Sequence, residues 1–283
     1  MRLVLLAAPP QLLSPAPSSG PVTELRDAIG GFAPISLAET QRAALMDRVE
    51  CKFLTTLERL QSLLPVLWPH YQALEVGGTR LQGYSSVYHD TADFGMYLAH
   101  HNGRARRHKV RTRHYRQTGQ TFLELKLRDP KGRTRKERVA VTGPATSAVS
   151  AQRAFLAAHL PALAHTPLEP KLEVHCERLT LVGCASDERL TFDLHLALTT
   201  PELRCDLPGL VVIERKRAGA GARSAFDELA RQLELHGQPF SKYGVGCALL
   251  YPDLKRNAFK PSLISLYRLV RPEQAPSAQE TPR

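Results

Sequence analysis

Long apolar runs are missing from this chain of 283 residues. The longest near the N-terminus, Leu3 to Ala8, is too short to cross a bilayer as a helix and weak as a signal peptide. No membrane span is therefore expected, and a cytoplasmic location is. Cysteine is sparse and unpatterned. Cys51, Cys176, Cys184, Cys205 and Cys247 are odd in number and form no C-x-x-C pair, which argues against a zinc site or a disulfide framework and for a reducing compartment. No His-Glu-x-x-His string occurs, and the adjacent His100 and His101 read as a loop pair. Aromatic residues make up only 6%, with no helix-turn-helix, RRM or zinc-finger pattern, so nucleic acid is not the expected partner. Acidic residues are also short: 27 Asp and Glu stand against 38 Lys and Arg, a net charge of +11. That balance points to a polyanionic partner, and composition alone does not choose which.

Residues 1–21 are rich in Pro, Ser and Ala, and residues 272–283 form a polar tail; both are expected to be disordered. Residues 22–271, with no repeat or long linker, read as one domain. Ser36-Leu-Ala-Glu39 is a capping box opening a short helix to about Met46, and Thr55-Thr-Leu-Glu58 is another. The second precedes Leu57, Leu60, Leu64 and Leu67 on one helical face. Residues 148–160 form a third helix, and a fourth runs from Ser224 toward Gly237 and Pro239. A last amphipathic helix spans Leu263 to Val270.

The remainder reads as strands with a shared peculiarity. In Phe122-Leu-Glu-Leu-Lys-Leu-Arg128, period-two alternation puts the leucines on one face and Glu124, Lys126 and Arg128 on the other. Arg111 and Arg113, Lys136 and Arg138, Glu50 and Lys52, and Glu214 and Lys216 repeat the pattern. Asp193 sits in another short strand. Alternation leaves two readings open: sheets with a solvated charged face, or a barrel in which the charged faces converge. Unpaired buried charges cost several kcal/mol each, so a convergent interior would be a wet tunnel completed by an anionic ligand.

The order of these motifs carries a resemblance. Gly31-Phe-Ala-Pro-Ile-Ser-Leu37 and Arg48-Val-Glu-Cys-Lys-Phe53 are followed by Tyr88-His-Asp-Thr91, Lys109-Val-Arg-Thr-Arg-His-Tyr115 and Phe122-Leu-Glu-Leu-Lys126. Lys136-Glu-Arg138, Leu190-Thr-Phe-Asp193, Val212-Ile-Glu-Arg-Lys216 and Phe240-Ser-Lys-Tyr-Gly244 complete the series. Over about residues 30–252 this resembles bacterial polyphosphate polymerase domains. They belong to the family of the catalytic domain of the vacuolar transporter chaperone complex, among the triphosphate tunnel metalloenzymes. The resemblance implies an α+β fold, an antiparallel β-barrel tunnel with helices packed outside. It implies Lys52, Arg111, Arg113, Lys126, Lys216 and Lys242 as catalytic cations, and Lys136, Arg138, Arg178 and Ser241 as further phosphate-binding groups. Glu214 would hold Mn²⁺ or Mg²⁺. Tyr88 and Asp90 are expected to be structural, and Asp193 either an acid beside the metal or a salt-bridge partner.

The implied activity is metal-dependent phosphoryl transfer that builds polyphosphate from the γ-phosphate of ATP. The alternatives are a tripolyphosphate or nucleoside triphosphate hydrolase of the same fold and a non-catalytic polyphosphate-binding module. Two departures bear on the choice. Arg48 stands where hydrolytic relatives carry the first acid of E-x-E-x-K, which favours the polymerase branch. Cys176-Glu-Arg178 keeps the arginine of a family Tyr-x-Arg strand but loses the phenol, a better hydrogen-bond donor than a thiol. Transport of a product across a membrane would need another protein.

Overall fold

The computed structural model describes residues 20–42, 48–142, 149, 152–218 and 223–270. Most of the 1–21 segment and the whole 272–283 tail lie outside them, although Gly20 and Pro21 already belong to a helix. The strands are β1 (Ala33–Ile35), β2 (Arg48–Thr56), β3 (Tyr71–Leu74), β4 (Leu81–Asp90), β5 (Arg107–Tyr115), β6 (Gln120–Arg128), β7 (Thr134–Ala140), β8 (Glu169–Gly183), β9 (Glu188–Thr199), β10 (Arg204–Leu207) and β11 (Leu210–Ala218). The helices are α1 (Gly20–Gly30), α2 (Leu37–Arg42), α3 (Leu57–Leu67), α4 (Gly95–His101), α5 (Arg153–His159), α6 (Ala225–Gln232), α7 (Lys242–Leu250) and α8 (Lys260–Val270).

All eleven strands join one sheet, whose main path runs β2-β11-β9-β8-β4-β5-β6-β7. Every pairing is antiparallel except β1 with β3. The fold class is the expected α+β tunnel. Its wall is a curled sheet, with no backbone ladder joining β2 to β7 among the described residues.

Alternation divides the apolar residues between the two faces. On the outer face, Phe53, Ile213, Val211, Phe192, Leu190 and Leu179 pack under α1, α3 and α6. Val110, Leu123 and Leu125 pack with Leu156 of α5. The inner face is apolar at one end only, where Leu54, Val212, Leu172, Val174, Leu196 and Leu198 close around α7. Its sequence, Lys-Tyr-Gly-Val-Gly-Cys-Ala-Leu-Leu, is apolar almost all round, as a buried helix should be. A side chain at Gly244 would meet the Phe259 ring at 2.5 Å, and one at Gly246 would meet Leu172 at the same distance. These glycines let the helix sit close inside the sheet, and their low helix propensity hid it from a reading of pattern alone.

Ser224 caps α6 in a reciprocal box with Asp227, as expected, and the helix ends at Gln232, ahead of the expected stop at Gly237. The Ser36–Glu39 box forms as well, and the expected extension to Met46 lies outside the described residues. Three further details differ. Thr56, not Thr55, caps α3, because β2 stays paired with β11 through Thr56. His100 and His101 end a helix instead of sitting in a loop. The last helix opens at Lys260, earlier than Leu263. The five cysteines, all among the described residues, form no disulfide, and no helix among the described residues is long and apolar enough to cross a membrane.

Candidate functional site

Strand register brings the charged residues together. Directly opposed residues of an antiparallel pair share a face, and the pairs here run Lys52 with Glu214, Glu214 with Thr191, Arg178 with Asp193, Tyr88 with Arg111, Arg111 with Glu124, and Lys126 with Lys136. A bulge protects this arrangement. His195 and Leu196 of β9 together oppose Cys176 of β8, and His195 takes the left-handed φ of 49°. The extra residue lets Asp193 face the tunnel while Leu196 and Leu198 join the apolar cluster around α7.

Three carboxylates anchor the cations. Glu124, 2% exposed, accepts Arg111 at 2.6 and 2.8 Å and Lys136 at 2.5 Å. Burial would raise its carboxyl, but Arg111 and Lys136 more than offset that and hold it well below the usual carboxylate range. Asp193 grips Arg178 through two hydrogen bonds, 2.5 and 2.8 Å, and also pairs with Lys242. Its carboxyl is likewise depressed against the effect of burial. This resolves Asp193 as a salt-bridge partner. Glu214 lies between Lys216, which it contacts, and Lys52 at 3.6 Å; these ammonium groups override its burial and keep it ionised.

The other expected residues fall as follows. Arg113, 7% exposed, donates to Ser86 Oγ at 2.9 Å and lies 5.1 Å from the Tyr84 ring, with no carboxylate partner among the described residues. Lys126 reaches across to Glu50 at 3.9 Å with its side chain 52% exposed, so it stands at the open side. Ser241 caps α7, accepting the Gly244 N–H at 3.1 Å. Arg138 stands directly across from Glu124 and so shares the face of the site; on the edge strand β7 it is exposed and lies over Phe122 at 4.7 Å. The side chain of Arg48 lies outside the described part of the structure. Asp90 is structural as expected, accepting the Met96 and Tyr97 N–H groups and the Tyr243 hydroxyl. Tyr88 differs, since its hydroxyl accepts from Arg111 at 3.2 Å and thereby belongs to the site.

Glu50, Glu124, Tyr84, Ser86 and Lys109 also line the site. Lys109 lies two residues before Arg111 and Glu124 two before Lys126, so alternation marks both. Ser86 and Tyr84 carry no such signal and emerge only from pairing with β5 and β8. Counted together, Lys52, Lys109, Arg111, Arg113, Lys126, Lys136, Arg178, Lys216 and Lys242 outnumber the carboxylates Glu50, Glu124, Asp193 and Glu214 by nine to four. The surplus makes a concave surface that focuses positive potential on an anion.

For a divalent cation, the available donors are Glu214 and its neighbour Glu50. Burial and the Glu214 charge would raise Glu50, and Lys126 and Lys52 reverse that. Among the described residues no group of three or more His, Cys, Asp or Glu could hold a metal. Two hard carboxylates do suit Mg²⁺ or Mn²⁺ when phosphate oxygens supply further positions, so the donor set fits the expected ion.

A family model described as the VTC domain matches residues 47–251. Comparison with curated proteins finds no match. Among solved structures, the Hippeastrum protein HpAC1, named for adenylyl cyclase and described as having a dominant triphosphatase activity, is 13% identical with a TM-score of 0.45; the match covers 72% of this chain and 96% of that one. A candidate adenylate cyclase from Vibrio parahaemolyticus is 13% identical, with a TM-score of 0.42 and coverage of 70% and 97%. A Pyrococcus horikoshii protein is 12% identical, with a TM-score of 0.41 and coverage of 71% and 96%. Likenesses this distant carry no argument about activity.

Proposed function

The chain belongs to the VTC domain family, and from that premise we propose that it transfers the γ-phosphate of ATP onto a growing polyphosphate chain inside the tunnel. The observation that carries this reading is the set of nine basic side chains on one concave surface, several locked in place by buried carboxylates. Phosphoryl transfer asks a protein mainly to position the reactants and to neutralise charge on the transferred group. Arg111 and Arg178 are held by Glu124 and Asp193, so their remaining N–H groups are pre-aimed and little reorganisation accompanies reaction. Arg113, lacking a carboxylate partner among the described residues, is left to pair with a phosphate oxygen of the substrate. Lys52, Lys126 and Lys216 supply mobile point charges along the chain of phosphates.

Glu214 and Glu50 would hold Mg²⁺ or Mn²⁺, which would supply positive charge to offset that of the phosphates. Lys216 and Lys52, which flank Glu214, would be the lysines nearest that end of the phosphate chain. The acceptor, a terminal phosphate oxygen, is already ionised and needs no strong base, consistent with the absence of a nucleophile–base constellation in the described site. The missing phenol at Cys176 has a substitute. Tyr84 stands directly opposite Cys176, with its ring 5.3 Å from the Arg178 guanidinium and 5.1 Å from that of Arg113. Its hydroxyl supplies the donor that the thiol lacks.

The test is incubation with ATP and Mn²⁺ or Mg²⁺, measuring ADP, free phosphate and acid-labile polymer together. ADP outrunning free phosphate while polymer accumulates is the expected result. Stoichiometric phosphate without polymer would move the protein to triphosphate hydrolysis. Tight tripolyphosphate binding without ADP would leave a binding module.

A further inference from the structure

Lys109 stands apart from the other lysines of the tunnel. Lys52, Lys126, Lys136, Lys216 and Lys242 each lie within ion-pair distance of a carboxylate. Lys109 has no such partner among the described residues; its Nζ meets the Ser241 hydroxyl at 2.8 Å, at the start of α7. The charges around it are positive: Lys126 on β6, Lys52 on β2, and Arg107 and Arg111 on its own strand. Two further titratable groups face it. His100 of α4 is pulled down to about 3 by burial and by Lys109 itself, so it is neutral. Cys247 of α7 is pushed up by burial and remains a thiol.

We propose that Lys109 binds phosphate as an ammonium whose protonation the ligand completes, so that above neutral pH capture of a phosphate chain draws a proton from solvent onto Nζ. The inference rests on the tunnel reading above. Burial, reinforced by Lys126 and Lys52, pulls the empty-state ammonium down to about 7. A phosphate oxygen beside Nζ brings the missing countercharge and restores an ordinary lysine, protonated to about pH 10. Ser241, fixed by the Gly244 N–H, keeps Nζ beside the first turn of α7 in both states. In the empty state at pH 8 such a group is ~10% protonated, so binding takes up ~0.9 proton; at pH 6 uptake falls to ~0.1. Affinity for the phosphate chain then drops about 8-fold per unit between pH 8 and 9 through this residue.

The experiment is titration calorimetry of the full chain with tripolyphosphate, without metal, at pH 8 in two buffers of different ionisation enthalpy. The unaltered protein should show net proton uptake. Lys109→Arg, which stays charged, should bind and lose ~0.9 of that uptake. Should that variant not fold, Lys109→Met carries the comparison, with weaker binding and the same loss of uptake. Uptake unchanged in a folded variant that still binds would overturn the proposal. Failure of the unaltered chain to bind tripolyphosphate would instead remove the tunnel reading, and this inference with it.

Discussion

Glu124→Gln probes the site through its anchor. The native carboxylate is 2% exposed and neutralises both Arg111 and Lys136, with the Tyr115 hydroxyl donating a third contact at 3.3 Å. Glutamine keeps one acceptor oxygen for Arg111 but turns an NH₂ toward Lys136, leaving donor against donor. Removing one partner of a buried ion pair costs about 3–5 kcal/mol, and the retained acceptor puts this case near the low end, ~3 kcal/mol. For a chain of this size that is a fall in Tm of about 6–12 °C. Tripolyphosphate at a hundred times its Kd adds ~2.7 kcal/mol to the native protein. In the variant it also meets cations stripped of their counterion. A unit charge placed ~6 Å from such a cation gains up to ~3 kcal/mol at an effective dielectric of ~20. Thermal melts with and without tripolyphosphate should therefore show a larger ligand-induced rise in Glu124→Gln than in the native chain. Equal rises, or a variant melting with the native protein, would refute the reasoning.

Other perturbations separate the roles of single residues. Glu214→Gln should abolish turnover of ATP while leaving tripolyphosphate binding intact or tighter, because it removes the proposed metal ligand and one repulsive charge; Arg113→Ala should weaken binding in the same calorimetric assay, by about 1.5–3 kcal/mol for a lost charged contact. Tyr84→Phe should lower turnover about tenfold, for ~1.4 kcal/mol of lost hydrogen bonding, without moving Tm by more than a few degrees. Cys176→Tyr should not improve on the native protein: Cys176 is 5% exposed opposite Tyr84, and overpacking there costs about 1–3 kcal/mol, to be read from urea unfolding. Glu124, Asp193 and Glu214 all have carboxyls depressed in the fold. Their stabilisation is complete above the unfolded range near ~4 and disappears as pH falls through their lower folded values. The native chain should thus lose stability steeply below pH ~4, and Glu124→Gln less steeply.

How much could be read in advance follows from the range of the forces involved. Alternation is a local rule, so it marked Arg111, Arg113, Lys126, Lys52, Lys216 and Glu214 as residues of one face within their strands, and the structure sets those faces against each other. Capping is local too, and the Ser36 and Ser224 boxes formed where their spacing put them. Thr56 displaced Thr55 because a ladder with β11, remote in sequence, extends β2 by one residue. Helix α7 was invisible for a similar reason: its two glycines are poor helix formers that pay off only where Phe259 and Leu172 press against them. What the sequence by itself determined was the chemistry, an excess of cations on period-two strands in an order that points to phosphate. Tertiary structure alone decided which cation meets which anion. Lys109 was left with a hydroxyl while its neighbours received carboxylates, Tyr84 came to stand across from Cys176, and a single bulge at His195 turned Asp193 inward. Those outcomes depend on strand register and on contacts between residues far apart in the chain, and no local pattern encodes them.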